Sequence, residues 1–124
     1  MSIKFEHVGL YTDDIDRVLK FYEEVLGFET VFRHEGEGTR AAVQKLGDMQ
    51  LEVIQMDSIP NADDANSKCH MHIDFMVTDM DALVEKIRAW GCEIVVEPFM
   101  HENRKVSLFR GPCREYTELN EMMD

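Results

Sequence analysis

The sequence contains no apolar run approaching the roughly 20 residues that a membrane-spanning helix requires, and Met1 to His7 form no signal-peptide core. A cytoplasmic protein without a membrane partner is therefore the expectation. Positive charge is scarce. Lys and Arg number 13 against 25 Asp and Glu, a formal net charge of −12, which argues against nucleic acid and acidic membrane as partners. A negatively charged small substrate would need cations placed locally, and Arg33, Arg40, Lys45, Arg104, Lys105 and Arg110 are the candidates. Cysteine is sparse and odd in number: Cys69, Cys92 and Cys113 make no Cys-x-x-Cys pair. Neither a disulfide framework nor a zinc knuckle is indicated, and reduced thiols without a role are expected.

What the chain does contain is one plan written twice. Its 124 residues suit a single compact domain. The first strand spans about 3–11, and Thr12, Asp13 and Asp14 offer a helix N-cap. A helix follows over 15–26, with Ile15, Val18, Leu19, Tyr22 and Leu26 on one stripe and Gly27 as its stop. Strands are expected at 28–34, 39–46 and 49–56, separated by turns at Gly36, Gly38 and Gly47-Asp48. A polar stretch over 57–68 reads as a linker. The plan then restarts with a strand at 70–77, an Asp79-capped helix through Trp90 carrying Met80, Leu83, Val84 and Ile87, and Gly91 as its end. Strands at 92–99, 105–110 and 115–119 complete it. Module one thus covers about 1–56 and module two about 69–124 of one domain.

The repetition holds in register. His7 and His72 are 65 apart (72 − 7), and Asp14-Ile15-Asp16 meets Asp79-Met80-Asp81 at the same offset. Gly27 meets Gly91 at 64 (91 − 27), and Glu52 meets Glu118 at 66 (118 − 52). A duplicated βαβββ chain of the α+β class follows, and it outranks any single element assignment.

Strand alternation sorts the neighbours of the repeated His and Glu. Ile73 and Phe75 share one face with Met71 and Val77, while His72 shares the other with His70 and Asp74. Val8 and Leu10 correspond to Ile73 and Phe75, so His7 falls on the side of His72. Leu51 and Val53 oppose Gln50, Glu52 and Ile54, and Glu118 repeats that placement beside Tyr116. A carboxylate on an enclosed strand face needs a cation or exposure to water to stay ionised, and a metal would supply the cation. Two halves related by a pseudo-twofold would bring His7, Glu52, His72 and Glu118 to one divalent ion. Such a mixed nitrogen and oxygen set suits Zn, Ni, Co, Mn or Fe. His34 and His101 have no repeat partner and are expected on the surface, whereas His70 could line the cavity. Trp90, Phe99, Phe109 and most of the methionines read as core.

These residues carry a resemblance. Over nearly its whole length the chain resembles the vicinal oxygen chelate superfamily of glyoxalases, bleomycin resistance proteins and extradiol dioxygenases. The likeness rests on His7 to Leu10 with Asp14 to Asp16, on Phe21 to Phe28, on His72 to Val77 with Asp79 to Leu83, and on Tyr116 to Leu119. It implies a cupped, incomplete β-barrel with helices outside, one divalent metal held by His7, Glu52, His72 and Glu118, and a homodimer whose sites lie within or between chains. Two departures stand out. Gly111 to Glu115 replace the usual Asp-Pro-Asp-Gly turn, and the short hairpin Arg33 to Glu37 lacks the cationic and amide residues of glutathione-dependent members.

The chemistry that the resemblance implies is lyase or isomerase chemistry of the glyoxalase I (lactoylglutathione lyase-like) type. The metal would hold an enediolate of a small α-oxo substrate or its thiol adduct, with Glu118 or Glu52 as the proton acceptor. Alternatives are an Fe(II) extradiol-type dioxygenase, which a fourth protein ligand at Glu52 disfavours, a metal-dependent thiol transferase, and a metal-free protein that sequesters a drug or metabolite.

Overall fold

The computed structural model describes residues 2, 4–57 and 71–123. Most of the expected linker, together with Cys69 and His70, lies outside the described residues. The chain divides into two compact units, Met1–Asp64 and Ala65–Asp124.

The first unit runs β1 (Val8–Thr12), α1 (Ile15–Glu24), β2 (Glu29–Gly36), β3 (Thr39–Leu46) and β4 (Met49–Met56). Its sheet has the order β1-β4-β3-β2, in which β1 lies parallel to β4 and the other pairs are antiparallel. The second unit repeats this with β5 (His72–Met76), α2 (Met80–Ala89), β6 (Ile94–His101), β7 (Arg104–Arg110) and β8 (Tyr116–Met122). Its order is β5-β8-β7-β6, again with one parallel pair, β5 and β8. The fold is therefore α+β and made of two βαβββ units, as the duplication requires.

Each helix packs on its own sheet and fixes which strand face becomes core. In the first unit Ile15, Val18, Leu19, Phe21 and Tyr22 of α1 are buried, as are Ala42, Leu51 and Val53 beneath them. Full burial of Leu51 or Val53 contributes about 1.5–3 kcal/mol each, an upper estimate. Tyr22 meets Phe21 and Phe28 edge to face, with ring centroids 5.4 and 5.2 Å away. In the second unit Met80, Val84 and Ile87 of α2, with Phe109 and Leu119, do the same work. Trp90 is half-buried, Phe99 is 45% exposed rather than core, and His34 and His101 are exposed as expected. Cys92 and Cys113 are not joined in a disulfide.

The repetition extends to the polar ties. Arg40 of β3 pairs with Asp16 in the first turn of α1 at 3.2 Å, and Lys105 of β7 pairs with Asp81 in the first turn of α2 at 3.0 Å. Gln55 Oε1 accepts the Ile15 N–H at 2.9 Å, and Glu121 accepts those of Asp79 and Met80 at 2.8 and 3.1 Å. A side chain from the last strand thus receives each helix N-terminus, where backbone donors lack intrahelical partners.

Three further expectations need correction. The first strand begins at Val8 rather than Ile3, because the parallel ladder starts only at Val8 and Leu51; β4 leaves the Gly47-Asp48 turn two residues earlier. Helix α1 ends at Glu24, with the Val25 N–H closing on the Phe21 carbonyl and Gly27 taking φ +78°. Asp79 occupies the N-cap position of α2 without capping it. Its backbone is left-handed (φ 54°), its side chain makes no cap hydrogen bond, and the Glu121 carboxylate accepts the N–H groups of Asp79 and Met80 instead. Among the described residues no helix is long and apolar enough to cross a membrane.

Candidate metal centre

The face of each sheet turned away from its helix carries the repeated His and Glu. In the first unit His7 immediately precedes β1, and Glu52 lies on β4 opposite Gly9. Their approach is His7 Nε2 to Glu52 Oε1, 3.9 Å, while His7 Nδ1 bonds Glu6 Oε1 at 2.9 Å. In the second unit His72 opens β5, and Glu118 lies on β8 opposite Asp74. There His72 Nε2 stands 3.8 Å from Glu118 Oε1. Both pairs use the same atoms. Two ligand atoms each about 2.1 Å from one ion lie about 3–4 Å apart, so each pair is spaced to share an ion.

The four residues expected as ligands lie as two His–Glu pairs, one in each unit, with both carboxylates half-buried. Parallel pairing explains the match. A residue on the first strand and one two places beyond its register partner on the last strand project on the same side and converge.

The two halves differ in what surrounds the carboxylate. Asn120, almost fully buried, donates its Nδ2 group to Glu118 Oε2 at 2.7 Å and to Asp74 Oδ1 at 2.6 Å. Arg104 Nη1 donates to Asn120 Oδ1 at 3.3 Å. In the first unit Ile54 and Gly9 stand where Asn120 and Asp74 would be. Sequence reasoning placed Asp74 beside His72 but gave it no role, and it missed Asn120. The available signal was parity alone: each polar residue lies two positions beyond an expected ligand.

Asp74 has consequences for the charge of the site. One ligand atom from each of His72, Asp74 and Glu118 lies within 4.8 Å of the other two. Burial raises the Asp74 carboxyl above its ordinary value, the Asn120 hydrogen bond opposes that shift, and the nearby Glu118 charge adds to it. Each unit offers an imidazole nitrogen and hard carboxylate oxygens, donor types that fit a first-row divalent ion.

Of the six candidate cations, four are engaged elsewhere. Arg33 and Arg40 bind Asp16, and Arg40 also binds Glu35. Lys105 binds Asp81, and Arg104 binds Asn120. Among the described residues Lys45 and Arg110 pair with no acidic or amide side chain, and they occupy matching places: Lys45 is the register partner of Gln50, Arg110 that of Tyr116.

Comparison with known proteins agrees with this architecture. CFP32 of Mycobacterium bovis, named as a candidate glyoxylase, is 33% identical over 92 residues. That match covers 72% of this chain and 32% of the relative, so the chain corresponds to about a third of that protein's length. A glyoxalase family protein of Bacillus cereus superposes with a TM-score of 0.85 at 19% identity, covering 100% of this chain and 97% of its own. The fosfomycin resistance protein FosX of Listeria monocytogenes, in complex with Mn(II) and sulfate, gives 0.73 at 16% identity, covering 98% and 93%. The profile of the Glyoxalase/Bleomycin resistance protein/Dioxygenase superfamily matches residues 4–119, nearly the entire sequence, and the chain belongs to that superfamily.

Proposed function

We propose that the protein is a divalent-metal-dependent enzyme of the glyoxalase I type that shifts a proton beside the carbonyl of a small α-oxo substrate or its thiol adduct. The repeated imidazole–carboxylate approach carries this reading: 3.9 Å in one unit and 3.8 Å in the other, between the same atoms. In it His7, Glu52, His72 and Glu118 together hold one ion of Zn, Ni, Co, Mn or Fe. Superfamily membership and the Mn(II) complex of FosX support such an ion. When bound, the ion supplies Lewis-acid stabilisation for an oxyanion developing next to the carbonyl.

The protein's own groups divide the remaining work unequally. Glu118 has one oxygen fixed by Asn120, which suits a lasting ligand. Glu52 has no such amide; Ile54 follows it on the same face and Val43 is its cross-strand neighbour. Among the described residues its polar contact is His7. A carboxylate with that freedom can turn toward a substrate C–H and act as the general base. Exposed apolar side chains, Phe5, Phe32 and Met71 among them, support a homodimer, and we place the protein in the cytoplasm.

The test is turnover of methylglyoxal–thiol adducts in D2O by the ion-loaded protein, followed by NMR. The expected result is hydroxyacyl thioester with solvent deuterium in part of the product, and a loss of at least about 100-fold in rate for Glu52→Gln, the range in which general-base catalysis operates. Absence of both turnover and exchange with every ion of the set would refute the reading.

A further inference from the structure

We propose that Arg110 forms an anion-binding subsite beside the His72–Glu118 pair, so that the substrate carries a carboxylate, phosphonate or phosphate group next to its metal-chelating oxygens. This deepens the function proposed above and rests on it.

The face of the second sheet holds a concavity of about 340 Å3 lined by Met71, His72, Leu108, Arg110, Tyr116 and Glu118. Across it His72, Tyr116 and Arg110 lie in one row on three adjacent strands. The Arg110 guanidinium carbon sits 4.4 Å from the centre of the Tyr116 ring, so the charge lies over the residue that separates it from His72. Stacking of this kind holds a guanidinium in place without neutralising it.

A second contact fixes the group. Arg110 Nη1 donates to the Arg114 carbonyl at 2.9 Å. Arg114 has a left-handed backbone at φ 61°, a conformation that costs a side-chain-bearing residue stability, inside the turn Gly111 to Glu115 where the chain departs from its family's usual Asp-Pro-Asp-Gly. Two further bonds brace that turn, from Arg114 N–H to the Gly111 carbonyl at 2.8 Å and from Cys113 N–H to Glu115 Oε1 at 2.8 Å. Its geometry delivers a carbonyl to the Arg110 head group.

Charge gives the arrangement its use. Arg110 shares the cavity with Glu118, yet among the described residues it pairs with no carboxylate within 4.0 Å. With Nη1 engaged at Arg114, the Nε–Nη2 edge remains, the edge that binds carboxylate or phosphate through two parallel hydrogen bonds. Asp74 and Glu118 would repel an incoming anion, and a fixed cation offsets that repulsion. In a chain with a net charge of −12, cations at the same register position of both units, Lys45 and Arg110, are the two of the six candidates that no acidic or amide side chain among the described residues engages.

The experiment is calorimetric titration of the Ni(II)-loaded full chain with three hydroxamates that share one chelating group. Acetohydroxamate adds no further charge, succinic monohydroxamate adds a carboxylate, and phosphoglycolohydroxamate adds a phosphate. At low salt at least one charged ligand is expected to bind about 10-fold or more tightly than acetohydroxamate, as a charge-assisted bidentate pair implies. Which of the two gains more identifies the anion. Arg110→Met should abolish that advantage, and Arg110→Lys should keep part of it. Equal affinities for all three ligands, or an advantage that survives in Arg110→Met, would overturn the proposal. If no ion binds, the proposed function fails, and the subsite is then decided in metal-free protein: phenylphosphonate or benzoate should shift the Arg110 Nε–H NMR resonance, and an unmoved resonance rejects it.

Discussion

Asn120 Nδ2 lies 2.7 Å from Glu118 Oε2, and the residue at the corresponding position of the first unit, Ile54, can make no such bond. One carboxylate of the repeated pair is therefore fastened and the other is not. Replacing Asn120 by Ile makes the second unit resemble the first. It removes two hydrogen bonds to charged groups from a buried position, and a stability loss of about 2 kcal/mol is expected in urea unfolding. Divalent-ion affinity should fall about 10-fold or more, as when groups that orient metal ligands are lost. Unchanged ion affinity alongside lowered stability would make Asn120 purely structural.

Asp16 predicts an acid-range effect. Hydrogen bonds from Arg40, then Arg33, hold its carboxyl below the ordinary value of 3.8. Because the folded value lies under the unfolded one, the stabilisation is complete above the unfolded pKa and disappears as pH falls through the folded value. Asp16→Asn should therefore lower the urea midpoint at neutral pH, and its curve should converge with the parent protein's under acid. Added salt should shrink the difference, since Asp16 is exposed. Curves that stay parallel into acid would assign the effect to something other than this carboxyl.

Glu102 turns the β6–β7 hairpin at φ 57°, between the paired residues His101 and Arg104. The first unit places glycine at its left-handed turns, Gly38 at φ 71° and Gly47 at φ 59°. Glu102→Gly should stabilise the protein by about 1 kcal/mol, the cost of holding a side-chain-bearing residue there. The check is the denaturant midpoint at constant slope. A lower midpoint would mean that the Glu102 side chain stabilises the turn by more than its backbone costs.

What the sequence revealed depended on repetition. His7 with His72 and Glu52 with Glu118 were legible because they recur at nearly constant offset, and burial of Leu51, Val53, Phe75 and Leu119 followed from strand parity. Features present in one half only were not legible. Asn120 and Asp74 answer to Ile54 and Gly9, so a search for internal likeness passes over them. The start of β1 was misplaced because apolar residues from Ile3 mark the capacity to form a strand, whereas the parallel ladder with β4 forms only from Val8 and Leu51. Asp79 misled for a related reason. It is a good cap residue by type, but the partner that satisfies α2, Glu121, lies 42 residues away.

The central claim is that both His–Glu pairs serve one ion, and ion stoichiometry tests it most directly. Tag-free protein dialysed against Zn(II) or Ni(II) should retain one ion per chain by elemental analysis. His7→Ala and His72→Ala should each abolish retention while circular dichroism shows the fold intact. Full retention in His7→Ala with loss in His72→Ala would contradict the account and assign the ion to His72, Asp74 and Glu118 of the second unit alone.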